Sequence, residues 1–146
     1  MSDRQFRVNI SAPNLLNICL DCLEDGEMKG RIYHCYQEEP VKFVSVVELI
    51  TIAESLFEEI QHPQASTKTR TFEEKTNTYP LLKLNKKVSQ EDLIQHRGEK
   101  GTFILHVQFR QGSTWQGGLS WIEKEEQYQF HNLLELIKIM DQVNES

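Results

Sequence analysis

The chain has 146 residues and a net charge of −6, with 26% charged and 38% hydrophobic side chains. This length fits one domain or two very small ones, and the composition is typical of a folded globular protein. No apolar stretch approaches the roughly 20 residues of a membrane span, and residues 1–5 lack the apolar core of a signal peptide. We therefore expect a cytoplasmic protein without a membrane partner.

Charge is unevenly distributed along the chain. Residues 61–101 hold eight basic and five acidic side chains, a net charge of +3, so the remainder carries −9. This balance disfavours direct nucleic-acid binding on electrostatic grounds. It leaves open an acidic surface that meets a basic partner.

The most informative feature is an internal repeat. Residues 28–56 align with residues 115–143 without a gap at an offset of 87, and eight of the 29 aligned positions are identical. Apolar positions of the two segments also coincide. We interpret them as copies of one unit with three strands and a helix.

The first copy, residues 1–61, begins with alternating apolar residues that predict a strand at 6–10. Residues 14–24 follow Pro13 and carry apolar side chains at helical spacing. They predict a short amphipathic helix inserted after the first strand.

The remaining elements of the first copy follow from local signals. Strands are predicted at 28–36 and 41–43. Ser45 precedes Glu48 by three residues, which is a capping box, and the helix that begins there should end before Pro63.

The second copy, residues 101–146, has the same order. Strands are predicted at 103–109, 115–122 and 128–130, and Asn132 caps a helix that runs toward the end of the chain. Between the copies, residues 62–100 form a linker with a short helix near 89–97.

Both repeat helices are apolar over an arc of about 220°, whereas packing on one sheet requires only somewhat more than ~100°. Because a unit of about 45 residues has too little core of its own, we expect the copies to pack against each other. The predicted fold is α+β: two pseudo-symmetric β-β-β-α repeats in one compact domain, with antiparallel sheets packed through their helices. A homodimer stays open, with Phe57 and Ile60 at a helix interface.

The alternation of the second copy predicts a glutamine-rich outer sheet face. This face is either simply solvated or a surface that binds a protein partner by hydrogen bonding. The candidate partner-binding residues on it are Gln108, Arg110, Gln116, Gln127 and Gln129.

Three cysteines, an odd number, fit a reducing compartment. Cys19 and Cys22 form a C-x-x-C pair, and His34-Cys35 follows, so zinc binding and a redox pair are alternatives. His34 and Cys35 are adjacent and point to opposite sides of a strand, which disfavours one shared metal. We expect buried thiols, no metal and no cofactor.

The sequence contains no nucleophile elbow, P-loop or dinucleotide-binding glycine motif, and no paired carboxylates at catalytic spacing. We therefore expect no enzymatic activity and assign no catalytic residue. The predicted function is that of a protein-binding or adaptor protein that associates with itself. The alternative is a regulator or inhibitor of a nucleic-acid-handling protein, acting through an acidic surface.

Part of the second copy follows a specific pattern: Phe-Arg-Gln, then Trp-Gln-Gly-x-x-x-Trp, a charged turn, and Phe-x-Asn-x-Leu-Glu-Leu-Ile-x-x-x-Asp. The matching residues are 109–111, 115–121 and 130–141. This pattern resembles a module in short bacterial proteins of unknown function. The arginine that usually follows the phenylalanine is His131 here, while Asn132 keeps the cap. The resemblance implies a bacterial origin and an accessory role.

Overall fold

The computed structural model describes residues 13–24, 27–60, 87–111 and 114–145, and its fold is α+β. Its strands are β1 (Leu16–Glu24), β2 (Glu27–His34), β3 (Gln37–Phe43), β4 (Gly101–Gln111), β5 (Thr114–Trp121) and β6 (Glu126–Phe130). Its helices are α1 (Val46–Ile60), α2 (Gln90–Leu93) and α3 (Leu133–Asp141), and a 3₁₀ turn, Gln142–Glu145, follows α3. None of the helices in these ranges combines the length and the apolar character that a membrane crossing requires.

The six strands form one antiparallel sheet in the order β3-β2-β1-β4-β5-β6. Its two halves meet where β1 pairs with β4, with Leu16 opposite Leu105 and Leu20 opposite Gly101. The expectation of two sheets packed through their helices is therefore wrong. Backbone pairing joins the halves directly, because the segment predicted as an inserted helix supplies a central strand.

Residues 16–24 form strand β1, so the predicted helix at 14–24 is wrong. Leu16, Ile18 and Leu20 alternate toward one face of the sheet, and a register shift between Leu20 and Cys22 precedes Leu23. Because of that shift, the spacing between Leu20 and Leu23 is three residues, which is also a helical spacing. The strand predicted at 6–10 lies outside the described residues.

One face of the sheet, the helix face, packs against α1 and α3. Both helices bury residues in the same core as β1 and β4, including Phe57 of α1 and Met140 of α3. Most of the other apolar side chains of the two helices are partly buried and pack at the margins of this core. Val47 and Leu134 remain 71% and 61% exposed in the first turns of the two helices.

The other face of the sheet, the outer face, is covered in part by the chain that contains α2. Leu93 packs there with Leu15, Cys19, Tyr33 and Ile104 in a second, smaller core. The predicted short helix near 89–97 is confirmed in position, although only four residues are helical, and Ser89 accepts a hydrogen bond from the Asp92 amide.

Several local features recur at an offset of 87. The Ser45 and Asn132 side chains accept hydrogen bonds from the amides of Glu48 and Glu135 at 3.1 and 2.9 Å. Both glutamates also accept a hydrogen bond from the amide four residues earlier. The predicted caps of α1 and α3 are thus confirmed.

Two glycines that cross a neighbouring strand closely are also 87 residues apart. A Cβ atom on Gly30 would lie 2.0 Å from the Cys19 carbonyl oxygen, and one on Gly117 would lie 2.1 Å from that of His106. Each glycine therefore allows an approach of two backbones that any side chain would prevent.

Candidate functional site

A β-bulge in β4 decides which side chains reach the outer face. Val107 lies opposite Gly117 and Phe109 lies opposite Gln116, which leaves Gln108 as the extra residue. Val107 is in the core of the helix face, and Arg110 contacts α1 on the same face. Gln108 and Phe109 between them are therefore both directed outward, as in a bulge where two residues oppose one.

The bulge reverses the predicted orientation of Arg110. We expected this side chain on the outer face beside Gln108, but it lies under α1 and is 2% exposed. Its Nη1 atom is 2.7 Å from Glu54 Oε1 and 3.1 Å from Glu58 Oε2. Trp115 Nε1 donates to the other oxygen of Glu54 at 2.5 Å. Arg110 thus ties α1 to the sheet.

Phe57 and Ile60, the candidate residues for a helix interface, take different positions. Phe57 is 0% exposed and meets Trp115 edge to face, with ring centroids 5.5 Å apart. The structure therefore places it in the core of the helix face, where it packs within the chain. Ile60 is half-buried and packs at the margin of the same core.

The remaining candidates come together on the outer face of β4, β5 and β6. Gln116 on β5 is half-buried, and its neighbours on the same face are Gly118 and Ser120, which pair with Gln129 and Gln127 of β6. We call this surface the glutamine face, and its exposed or half-buried amides are Gln108, Gln111, Gln116, Gln127 and Gln129.

The glutamine face is uncharged. Among the described outward positions of the three strands there is no lysine, arginine, aspartate or glutamate, although such residues make up 26% of the chain. Phe109, 39% exposed, adds an apolar side chain. Phe109 was missed from the sequence because strict alternation turns it inward, and Gln111 was missed because it lies outside the strand predicted at 103–109. The spacing of Leu20 and Leu23 in the first half was the available signal for the bulge.

The outer face of the first half has charged side chains at the corresponding positions. Asp21 and Arg31 stand 87 residues before Gln108 and Gly118. The Arg31 guanidinium donates to both carboxylate oxygens of Asp21, at 2.8 and 3.1 Å, and to the Tyr33 hydroxyl at 2.7 Å. Burial alone would raise the pKa of Asp21, but hydrogen bonds from Arg31 lower it overall.

These charged groups hold residues 87–100 against β1 and β2. Arg31 donates to the Arg97 carbonyl at 3.0 Å, and the Glu99 amide donates to Asp21 at 3.1 Å. The His96 ring stacks on Tyr33, with centroids 3.7 Å apart. Burial, followed by the charge of Arg31, lowers the pKa of His96, so the stacked ring is favoured in its neutral form.

The cysteines do not form a metal-binding cluster in the part of the chain that the structure describes, where no three His, Cys, Asp or Glu side chains are placed to hold an ion. Cys19 and Cys35 are buried and Cys22 is half-buried, and all three are free thiols. Burial raises the pKa of Cys19 to about 11. His34 is also buried, and its Nδ1 atom accepts a hydrogen bond from the Tyr36 amide at 3.1 Å.

The arrangement on the outer face is therefore asymmetric. Residues 87–100 cover the charged half of the face, whereas the amides of the other half lie on β4, β5 and β6. Such a face can donate and accept hydrogen bonds without carrying charge. In comparisons with known proteins, no family model, curated protein or solved structure matches this chain significantly.

Proposed function

We propose that this chain is a non-enzymatic, cytosolic protein-binding or adaptor protein that also self-associates. It binds an external protein partner through the glutamine face. The observation that carries this proposal is the absence of charged side chains from the described outward positions of β4, β5 and β6. Depletion of charge with retention of hydrogen-bonding groups is typical of the centre of protein interfaces.

The chemistry of the face suits a protein partner. Each glutamine amide offers two donor hydrogens and an acceptor oxygen, so neighbouring amides can satisfy either backbone or side-chain groups of a partner. Phe109 supplies an apolar contact among them. Direct hydrogen bonds of this kind depend on geometry and are screened by salt far less than contacts between exposed charges.

The buried polar groups support a structural rather than a catalytic use of the remaining polar residues. Arg110 forms ion pairs with Glu54 and Glu58. The Asn17 side chain donates to the carbonyl oxygen of Leu93, the last residue of α2, and to that of His96. These contacts fix α1 and residues 87–100 on the sheet.

We also propose that the two halves are copies of one β-β-β-α unit that have diverged in use. Bulges at Asp21 and Gln108, close glycine crossings at Gly30 and Gly117, and matched helix caps all recur at an offset of 87. In this view the first copy binds residues 87–100 of the same chain through its outer face. The second copy uses the corresponding face for another protein.

Site-specific photo-cross-linking tests the proposed function. A photoreactive residue at Gln116 is compared, in the native cell, with one at Lys29, which occupies the corresponding position of the first half and is also solvent-accessible. The proposal expects discrete adducts from position 116 and none of the same mass from position 29. Adding Gln108→Lys and Gln129→Lys to the position-116 protein should remove them. Equal adducts from both positions would contradict the proposal.

Salt separates the proposal from its rival, a regulator or inhibitor of a nucleic-acid-handling protein that binds through an acidic surface. The partner recovered by cross-linking is purified and bound to the unmodified chain at about 0.1 M and about 1 M salt, where the screening length falls from about 10 to about 3 Å. Binding through the glutamine face persists at high salt. Loss of binding at high salt would favour the acidic surface instead.

A further inference from the structure

The two edges of the sheet differ in how well they resist pairing with another strand. β3 and β6 are the terminal strands among the described residues, and no described strand pairs with the outer backbone groups of either, which a further strand could bind. β3 contains Pro40 and Lys42, two residue types that block such pairing because proline lacks an amide hydrogen and lysine adds charge. The β6 residues 87 positions later are Gln127 and Gln129.

The side chains of β6 suit pairing with an identical strand. Gln127 and Gln129 point to the outer face and are exposed, while Tyr128 between them packs against the core of the helix face. The single charged residue of the strand, Glu126, lies at its first position and accepts a hydrogen bond from the Tyr128 hydroxyl. Parallel pairing in register would bring the two Glu126 carboxylates together, whereas antiparallel pairing keeps them at opposite ends.

We propose that β6 pairs antiparallel with β6 of a second copy of this chain, centred on Tyr128, so that Gln127 faces Gln129 of the second copy. This places amide opposite amide twice, and amides are self-complementary because each both donates and accepts. The partner is a second copy because a twofold axis through Tyr128 reproduces both contacts from one sequence. The dimer forms one continuous sheet and joins the two glutamine faces into one surface.

The seam is short, at five residues per strand. It buries much less than the roughly 1,200–2,000 Å² of a standard protein interface, so association is weak and concentration-dependent. This inference rests on the proposed function for self-association, but its readout is the mass of the pure protein. Failure of the dimer and failure of the external partner can therefore be told apart.

Charge reversal at the seam tests the pairing by sedimentation from about 1 μM to about 1 mM protein. The wild type is expected to pass from monomer to dimer in this range. In Gln127→Lys/Gln129→Lys, and likewise in Gln127→Glu/Gln129→Glu, the two cross-strand pairs become like-charged. Their dimers should be weaker by roughly tenfold or more. An equimolar mixture of the two variants should recover a dimer at least as tight as the wild type.

Recovery of the dimer in the mixture also shows that the variants are folded. Folding is expected because Gln127 and Gln129 are both exposed. The matched control is Gln108→Lys/Gln116→Lys, which places the same charges on the glutamine face away from the edge and should dimerise like the wild type. A wild type that stays monomeric throughout the concentration range overturns the proposal, and a different protein would then be the candidate to pair with β6. A lysine variant that dimerises normally, or a mixture that stays monomeric, overturns the proposal as well.

Discussion

Asn17 of β1 lies directly opposite Ile104 of β4, and the two positions are 87 residues apart. The pairs on either side, Leu16 with Leu105 and Ile18 with Phe103, exchange places at this offset, because Leu16 corresponds to Phe103 and Ile18 to Leu105. Exchanging the halves at this offset therefore maps these three pairs onto themselves, except that Asn17 is polar and Ile104 is not. Asn17 is 0% exposed and donates to the Leu93 and His96 carbonyl oxygens at 2.9 and 3.1 Å. It directs the α2 segment to the first half.

Replacing Asn17 by isoleucine, the residue opposite it, should loosen residues 87–100 without removing the sheet. Two buried or half-buried carbonyl groups lose their donor, which we expect to cost about 1–3 kcal/mol of unfolding free energy. Hydrogen exchange should accelerate at the amides of 93–100 more than in β5. Ile104→Val is the control, with a loss of about 0.5–1.5 kcal/mol and no selective change at 93–100. Uniform protection in Asn17→Ile would contradict this role.

The close glycine crossings predict a matched pair of sensitive positions. Gly30→Ala and Gly117→Ala each place a Cβ atom about 2 Å from a backbone carbonyl oxygen, so the paired strands must separate. We expect each to reduce the unfolding free energy by about 3 kcal/mol or more, as measured by urea denaturation. At Gly101 the nearest atom to an added Cβ is a Val143 methyl carbon at 3.2 Å, a side chain that can move. Gly101→Ala should therefore be milder, and equal losses at all three sites would argue against the crossing geometry.

Two glutamates of α1 differ in how much they contribute through Arg110. Glu54 binds both the Arg110 guanidinium and the Trp115 indole, and its side chain is 28% exposed. Glu58 binds the same guanidinium from a side chain that is 67% exposed. Glu54→Gln should therefore cost about 2–3 kcal/mol, and Glu58→Gln less than about 1 kcal/mol. The comparison uses urea denaturation at neutral pH, and a larger loss for Glu58→Gln would reverse the assignment.

The sequence predicted elements whose signals are local. The caps at Ser45 and Asn132 and the helices that they begin depend on residues within one turn, and the structure has them at those positions. The same holds for Ser89 before α2. In each case a side chain satisfies a backbone amide that the helix itself leaves free, so no distant contact is needed to specify it.

The sequence failed where a distant contact decides between two local readings. Apolar residues between 15 and 23 fit a helix by spacing, and only the pairing of β1 with both β2 and β4 makes them a strand. The orientation of Arg110 failed for a related reason. A bulge shifts every later side chain of a strand to the other face, and its position depends on the partner strand. Gln116, Gln127 and Gln129 lie on β5 and β6, which do not contain this bulge. The bulge therefore does not change which face of the sheet these glutamines occupy.

His96 makes the stability of the folded chain depend on pH. Burial and the nearby Arg31 and Arg97 lower the pKa of His96 in the folded state, and Asp92 opposes them. In the unfolded chain the pKa of a histidine is about 6.5. As the pH falls, the unfolded chain binds the proton first. The stabilisation is therefore complete above about pH 6.5 and is lost as the pH falls through the lower folded pKa. Burial also lowers the pKa of His34, so His34 contributes to stability with the same dependence on pH.

Unfolding free energies measured in urea at about pH 7.5 and about pH 5 should thus show a less stable protein at the lower pH. His96→Phe keeps a ring on Tyr33 but has no proton to bind, so its loss of stability over this range should be smaller than that of the wild type. The remaining slope includes the contribution of His34. An unchanged slope in His96→Phe would show that the stacked ring does not titrate in this range.

The thiols of Cys19 and Cys22 should differ in reactivity, although both belong to one C-x-x-C sequence. Cys19 is 0% exposed, its Sγ atom lies 3.5 Å from Asn17 Oδ1, and burial raises its pKa to about 11. At about pH 8 it therefore holds very little of the thiolate that attacks alkylating reagents, whereas Cys22 is half-buried and accessible. Iodoacetamide on the native protein, followed by peptide mass spectrometry, should label Cys22 well before Cys19 or Cys35. In 8 M urea, used as the control at roughly the concentration that unfolds most domains, all three should react alike. Equal labelling of Cys19 and Cys22 in the native state would revive the redox pair, because a reactive pair requires an accessible thiolate that a buried core thiol does not supply.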